Sequence, residues 1–487
     1  MNELNARGNE ARLGAKVRAL RRRNGLTQAQ LAQRLGISAS YLNLIESNRR
    51  PLPAPLLLQL AQAFQLDLAT FAPAGDARLQ SELLEVFADP ALKADDEVAS
   101  TDVRELAEGN PAVGRAVLAL YRAYREARTT NAANAERVAA GEDASPQPSQ
   151  APSEEVSDLI QQHFNHFPEL EAGAEALWKK AKLSTDERFG GLAQYLEKTH
   201  GVQVRIVRNQ TLTGALRKYD PATKVLALSD LLPTRGRTFE LAHQLAMLQE
   251  RPSIDRIVAG SRISAPESQA LARVALANYF AGAVLMPYTA FLAAAREERY
   301  DIDVLGRRFS VGFEQVCHRL TTLRRPGAEG IPFHMLRIDM AGNLSKRFSA
   351  SGIRFARFSG ACPRWNIFQA FMTPGLIRIQ LSQMPEGAVY FCIARTIQRD
   401  SGGFHSPRPV LAIGLGCQVQ HASEMIYADG MDLQNVAVAT PVGVSCRLCE
   451  RTDCDQRAFP SLRHPLHIDE NVRTASLYST GTKLRTV

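Results

Sequence analysis

The sequence predicts a multidomain protein, mainly α-helical with α+β parts. A helical N-terminal domain, an α+β middle domain and a C-terminal α+β domain on an antiparallel sheet are expected. Three observations predict this. A chain of 487 residues is too long for one hydrophobic core. Apolar residues recur at helical spacing up to about residue 330, and alternating strands dominate after it. A polar Pro/Ser-rich run, GEDASPQPSQAPS at 141–153, reads as a flexible linker. The expected boundaries are 1–75 for the N-terminal domain, 76–140 for a helical connector, 141–153 for the linker, 154–330 for the middle domain, 331–475 for the C-terminal domain and 476–487 for a tail.

At 45% hydrophobic and 22% charged residues, the composition is that of a globular chain rather than a disordered or membrane-spanning one. The net charge of +8 is unevenly placed, because residues 1–75 hold ten Lys/Arg against four Asp/Glu. A basic module on a nearly neutral body points to a polyanion partner at that end. The start, MNELNARGNEARLGAKVRAL, lacks the apolar core of a signal peptide. A reducing, cytoplasmic setting is expected, where seven cysteines read as core residues or metal ligands rather than disulfides. The uncharged run VALANYFAGAVLMPYTAFLAAA, 274–295, carries Asn278 and is cut by Pro287. It reads as two buried helices meeting at a proline, not as a membrane span.

The first element pair lies in LTQAQLAQRLGISASYLNLIESNRRPLPAP, residues 26–55. Thr27 can cap one helix, Gly36 supplies a tight turn and Ser38 can cap the next. Ala32, Leu35, Ile37, Leu42 and Ile45 give a packing face. In a helix-turn-helix the N-terminal part of the second helix enters the major groove. Ser38, Ser40, Tyr41 and Asn43 are thus candidates to read base edges, and Gln28, Arg49 and Arg50 to hold phosphates. A plain helical hairpin with solvated arginines is the alternative, but cap, turn glycine, spacing and charge all agree on the former. The stretch resembles the XRE (lambda-repressor-like) DNA-binding family. That resemblance implies double-stranded DNA as partner and a homodimer or higher homo-oligomer on two-fold operators.

Two helical stretches follow, DARLQSELLEVFADPAL and NPAVGRAVLALYRAYREAR, the second with Val117, Leu120, Tyr121 and Tyr124 at helical spacing. Beyond the linker, VQVRIVRN and KVLALSD read as a strand pair, with Asp220-Pro221 as a turn before the second. The helix RTFELAHQLAMLQE, 237–250, has the frame of H-E-x-x-H but keeps only His243; Gln244 and Met247 stand at the other two positions. A zinc peptidase needs both histidines on one helix face and the glutamate to activate water. One histidine on an apolar helix is by itself more often a core residue. FELAHQLAML followed by LANYFAGAVLMP resembles the ImmA/IrrE metallopeptidase family, which implies a zincin-like α+β middle domain. That family has an acidic third ligand just before Ala-Asn, where this chain has Leu276. Three of four functional positions are replaced, so no enzyme activity is expected. The former metal cavity becomes apolar, with His243, Gln244, Met247, Leu276 and Tyr279 as candidate walls of a ligand pocket; a filled core is the alternative.

From residue 331 on, FHMLRID, LIRIQLS, AVYFCIART and VLAIGLGCQV read as strands. VGVSCRLCERTDC places Cys446, Cys449 and Cys454 within nine residues, and Cys362, on a turn before Pro363, is the best fourth ligand. His464 and His467 are rivals that would favour zinc. Four thiolates lean towards a 4Fe–4S cluster, with structural zinc as the alternative. Cys317, Cys392 and Cys417 fall inside helix or strand patterns and read as small core residues.

YLNLIESNRRP, FELAHQLAMLQE and SCRLCERTDC, in this order over nearly the whole chain, resemble the short-chain fatty acyl-CoA regulator family of bacterial transcription factors. The resemblance implies a cytoplasmic DNA-binding sensor of a short-chain acyl-CoA or related metabolite, acting on propionate-, acetate- or glyoxylate-type metabolism genes. Such an effector needs cations for its phosphates and an apolar pocket for its acyl end. Arg217, with Lys218 and Arg237 nearby, would meet the phosphates beside His243. An alternative pocket lies near Arg357, Arg364 and Trp365. Two other readings stand beside this one: an iron–sulfur redox regulator without an acyl-CoA ligand, and a protease, which Gln244, Met247 and Leu276 disfavour.

Overall fold

The computed structural model describes residues 17–461 except 19, 22–23, 25, 47–49, 51, 65–76, 90–97, 140–151, 186, 262, 264, 356–360, 399–404 and 406–407, and in addition residues 476 and 478. The chain divides into two compact units, Met1–Ser149 and Gln150–Val487.

The first unit is helical: α1 (Gln28–Arg34), α2 (Ala39–Glu46), α3 (Ala54–Ala63), α4 (Ala77–Phe87), α5 (Ser100–Gly109) and α6 (Pro111–Ala139). Thr27 starts α1 with a reciprocal cap. Its Oγ1 accepts the Gln30 amide at 3.2 Å, and Gln30 Oε1 accepts the Thr27 amide at 2.9 Å. Gly36 takes φ +65°, the left-handed conformation that the turn to α2 requires. Leu31, Ala32, Leu35, Leu42 and Leu60 are buried together with Val17, and each aliphatic side chain so buried contributes about 1.5–3 kcal/mol. On α6 the buried face differs from the expected one. Leu118 and Tyr121 are buried, but Leu120 is 73% exposed. Gly114 sets this rotation, because its missing side chain makes room for Leu79 and Leu83 of α4. The linker expected at 141–153 lies outside the described residues, except that Pro152 and Ser153 open the next helix.

The second unit begins with α7 (Pro152–Gln162), α8 (Pro168–Lys180) and α9 (Arg188–Tyr195). A three-stranded sheet follows: β1 (Gln203–Val207), β2 (Arg217–Asp220) and β3 (Val225–Ser229), in the order β1-β3-β2. The two strands expected from the sequence are parallel, and the turn at Asp220 joins β3 to β2, a strand the sequence reading passed over. Asp220 holds that turn by accepting the Ala222 amide (2.9 Å) and the Thr223 hydroxyl (2.8 Å). Next come α10 (Thr234–Gln249), α11 (Arg251–Ala259), α12 (Pro266–Leu285), α13 (Tyr288–Glu297), α14 (Ile302–Arg308) and α15 (Phe313–Thr321).

The uncharged run forms α12 and α13, which bend by 65° at the proline. Among the described residues no single helix is long and apolar enough to cross a membrane, though this bent pair passes by length and composition. Its apolar residues, including Leu276, Phe280, Val284 and Phe291, lie in the core. Three carbonyls at the end of α12 find side-chain donors. Trp178 Nε1 donates to Val284 O (2.7 Å), Arg188 to Leu285 O (2.6 Å) and Arg319 to Met286 O (2.8 Å).

The larger sheet has the order β5-β4-β8-β7-β6-β9. Its strands are β4 (His334–Ile338), β5 (Leu344–Ser349), β6 (Arg378–Gln383), β7 (Val389–Gln398), β8 (Val410–Gln418) and β9 (Thr440–Pro441), antiparallel except for β6 with β9. The short helix α16 (Asn366–Gln369) lies against β6, β7 and β8. Both faces of the sheet are covered. Met335, Phe391 and Leu415 join the core of the helices before residue 330, and Leu336, Ile338 and Ala394 join a second core with Trp365 and Ile367. The expected boundary at 330/331 therefore falls inside a continuous core, where the rings of Tyr300 and Phe333 stand 5.6 Å apart.

Candidate functional sites

In the N-terminal unit, Ser38 Oγ accepts the Tyr41 amide at 3.1 Å, so it caps the start of α2. Ser38, Ser40 and Asn43 are exposed and Tyr41 is half-buried, which leaves these side chains open on one end and face of the helix. Gln28, expected to hold a phosphate, has its amide donated to Glu46 (2.8 Å) and Asn43 (3.3 Å) instead. Glu46 is the hub. Burial pushes its carboxyl up, yet hydrogen bonds from Arg21 and Gln28 and the charges of Arg21 and Arg18 bring it below its ordinary value. Arg21 reaches both carboxylate oxygens, at 2.6 and 3.0 Å. Gln28 thus braces α2 against α1. Arg50 is exposed, with its guanidinium 5.8 Å from the Tyr41 ring centre; Arg49 lies outside the described residues.

In the middle region, α10 packs along α12 and brings His243, Gln244 and Leu276 into the interior, while Met247 is half-buried. His243 Nδ1 is 2.9 Å from Asn278 Oδ1, and its Nε2 is buried without a partner. Burial, with the nearby Arg217 charge, lowers the imidazole to about 4 despite the bond to Asn278. Arg217 donates to Gln244 Oε1 at 2.7 Å and pairs with Glu240 at 3.0 Å. It closes over the α10 residues rather than projecting as a phosphate clamp. Tyr279 does not serve His243 either: its hydroxyl donates to Glu171 (2.7 Å) and accepts the Phe167 amide (3.3 Å). Glu171 in turn forms a buried two-pronged pair with Arg319, at 2.6 and 2.9 Å. The reason is positional, since Tyr279 lies one residue beyond Asn278 and so faces α8 rather than α10.

In the C-terminal region the cysteine loop folds back onto the turn of Cys362. The Cys362 amide donates to Val444 O (3.2 Å), and Arg364 Nη1 stands 4.0 Å from Cys454 Sγ. Burial pushes the Cys362 thiol up, and the Cys446 and Cys449 thiols are near enough to add to the shift. Buried Arg457 organises the loop by donating to the carbonyls of Cys446 (2.7 Å), Cys449 (2.9 Å) and Arg451. Among the described residues no three His, Cys, Asp or Glu side chains are placed around a common metal position. His464, His467 and Arg357 lie outside the described residues.

A cavity of about 20 Å³ opens on the α16 side of the larger sheet, enough for one or two waters or a small alkyl group. Leu336, Ile353, Trp365 and Leu415 give it apolar walls, and His334, Ser382 and Cys392 are polar groups on it. The Trp365 indole Nε1–H is buried and has no hydrogen-bond partner.

Residues 12–74 match the model of a helix-turn-helix domain, 197–321 that of an IrrE N-terminal-like domain, and 322–478 that of the short-chain fatty acyl coenzyme A regulator C-terminal domain. The HTH-type transcriptional regulator PrpR of Mycobacterium tuberculosis is 40% identical over 467 residues, covering 96% of this chain and 95% of that protein. RamB of the same organism, also an HTH-type transcriptional regulator, is 40% identical over 472 residues, 96% and 98% of the two chains. The propionyl-CoA carboxylase regulator of Cereibacter sphaeroides is 39% identical over 460 residues, 94% and 96% of the two chains. The chain belongs to the short-chain fatty acyl-CoA regulator family. A solved Mycobacterium tuberculosis transcriptional regulator, 42% identical, superposes with a TM-score of 0.66 over 68% of this chain and 100% of that one.

As a member of this family, the protein is an HTH-type transcriptional regulator whose partner is double-stranded DNA, and it is not an enzyme. Asn278, Glu46 and Cys392 are among the candidate-site residues that the sequence reading passed over or placed in the core. Asn278 had a usable signal, because it follows the replaced ligand position at Leu276 by two residues. Glu46 and Cys392 had none: each looks like an ordinary member of its helix or strand until its partners are known.

Proposed function

We propose that this regulator senses a short-chain acyl-CoA or related metabolite and controls genes of propionate-, acetate- or glyoxylate-type metabolism. The observation that carries the reading is the small cavity beside α16, with a buried indole N–H that lacks an acceptor. A carbonyl is such an acceptor, and an unpaired buried donor otherwise costs about 1–3 kcal/mol. As it stands the cavity takes a water or a methyl-sized group, so an acyl end would have to widen it, and Arg364, the residue before Trp365, would supply a cation for the anionic part of the ligand. The name of the Cereibacter sphaeroides relative, a propionyl-CoA carboxylase regulator, points the same way. This is the alternative pocket of the sequence reading. The His243 region is read instead as a zincin-type relic in which Arg217, Gln244 and Asn278 have closed the metal site with hydrogen bonds. A homodimer on a two-fold operator completes the proposal. Titration calorimetry of the full chain with acetyl-, propionyl- and butyryl-CoA tests it; absence of heat with all three overturns it.

A second reading rests on the cysteine loop. Cys362, Cys446, Cys449 and Cys454 would hold a 4Fe–4S cluster, or structural zinc. The four are thiols of the loop and of the turn it folds against, the donor type that both centres use; binding would have to draw them together, because among the described residues no three share a metal position. A cluster would supply one-electron redox chemistry, and the protein would then answer to oxidation. Anaerobic purification with iron, sulfide and zinc analysis checks the site; less than stoichiometric metal of either kind defeats it. Operator binding measured anaerobically with acyl-CoA, and then after oxidation, separates the two signals.

A further inference from the structure

Cys392 occupies a different setting from Cys317 and Cys417, which are buried in the core. It is half-buried and lines the cavity, with its Sγ 3.6 Å from His334 Nε2. The other ring nitrogen, Nδ1, lies 2.8 Å from Ser351 Oγ, and that oxygen also accepts the Ile353 amide at 3.4 Å. With Nδ1–H donating to Ser351, Nε2 keeps its lone pair towards the thiol. The arrangement is nucleophile, base and orienting group in one line, inside a cavity.

The sheet builds this line through one glycine. His334 on β4 and Cys392 on β7 both pair with Gly416 on the strand between them, β8. The imidazole reaches over Gly416 to the thiol, and a Cβ there would stand 2.5 Å from Nε2. Trp365 lines the same cavity and its buried N–H has no partner, a second and independent observation; a carbonyl oxygen would satisfy it.

We propose that Cys392 is an acyl acceptor, taking the acyl group of a short-chain acyl thioester with His334 as the base and the Trp365 N–H on the carbonyl oxygen. The proposal deepens the acyl-CoA reading and rests on it for the identity of the natural donor. As His334 Nε2 takes the thiol proton, the Cys392 sulfur attacks the thioester carbonyl carbon, and the C–S bond to the departing thiol breaks. That sulfur leaves with the bonding pair and recovers the proton from His334. One thioester is exchanged for another, with no oxidant or reductant. The event is a single self-modification, a covalent record of acyl-thioester supply rather than turnover. Burial pushes the Cys392 thiol up to about 12 and the His334 imidazole down to about 3, so the resting pair is neutral.

The test is intact-mass and peptide analysis of the full chain after exposure to propionyl-CoA and, separately, to S-propionyl-N-acetylcysteamine, which lacks the nucleotide. One hydroxylamine-labile propionyl group on Cys392 from both donors is expected. It should vanish in C392A, form at least tenfold more slowly in H334Q, and slow in W365F. Labelling by the small thioester alone keeps the acceptor site and removes coenzyme A as its donor. No label on Cys392 from either donor overturns the proposal even where calorimetry shows propionyl-CoA binding. Equal labelling rates in wild type and H334Q overturn it as well. C392A should keep the wild-type circular dichroism spectrum, which separates loss of chemistry from loss of fold.

Discussion

Two buried histidines of the same unit have opposite surroundings. His243 sits where a metal ligand would, with Asn278 on one nitrogen, nothing on the other, and the Arg217–Gln244–Glu240 chain beside it. His334 has both nitrogens engaged, by Ser351 and Cys392, and borders a cavity. Burial keeps both neutral at physiological pH. The difference teaches that a functional-looking histidine on a motif helix can be a closed relic, while one in an unremarked strand holds the reactive geometry. What separates them is the room and the partners around each ring, not the residue.

The largest effect expected comes from breaking the polar core that fixes the middle helices. Arg319→Met leaves the buried Glu171 carboxylate without its cation, with the Tyr279 hydroxyl as its remaining partner, at a cost of about 3–5 kcal/mol. Urea unfolding of the second unit measures it; a loss below about 1 kcal/mol would show that this pair does not hold the relic closed. Next comes pH. Folding lowers His243 from 6.5 to about 4, so between these values the unfolded chain takes up a proton that the folded chain refuses. Stability is fully present above pH 6.5 and falls as the pH drops towards 4, by about 2 kcal/mol between pH 6.5 and 5. His243→Leu should flatten that part of the stability curve, and an unchanged slope would remove His243 as its source.

Gly416→Ala sharpens the contrast from the other side. Its Cβ would meet His334 Nε2 at 2.5 Å and Phe391 O at 2.7 Å, so a loss of about 1–3 kcal/mol is expected, together with loss of the acyl-CoA heat. Wild-type binding in a stably folded variant would show that His334 is not part of the cavity's recognition. The smallest effect concerns the DNA-binding unit. Thr27→Ala removes a helix cap, at about 1 kcal/mol, and should weaken all operators alike, whereas Asn43→Ala should relax preference at one base position by about 1–3 kcal/mol. Uniform weakening by both, measured on a panel of operator variants, would place Asn43 outside base reading.

Much of the first unit is legible in its sequence. Thr27, Gly36 and Ser38 act on neighbours within a few residues, so their roles follow from local chemistry. The replaced ligands at Gln244, Met247 and Leu276 are legible for the same reason, since a metal motif is a matter of helix spacing. The ligand walls expected around His243 are not, because Arg217 and Tyr279 choose partners on other elements. The α6 face differs from the expected one because Gly114, not a large residue, decides which side packs.

By itself the sequence determined the helix-turn-helix, the loss of the zinc motif, the order of the parts and the likeness to the acyl-CoA regulators. The tertiary structure alone decided which buried polar groups meet. Glu171 and Arg319 are 148 residues apart, Tyr279 and Glu171 are 108 apart, and His334 and Cys392 are 58 apart. Caps, turns and ligand spacings are short-range and written in consecutive residues. Pairs across a sheet or between packed helices depend on register and on which side chain is absent, as Gly416 shows, and no local pattern carries that information.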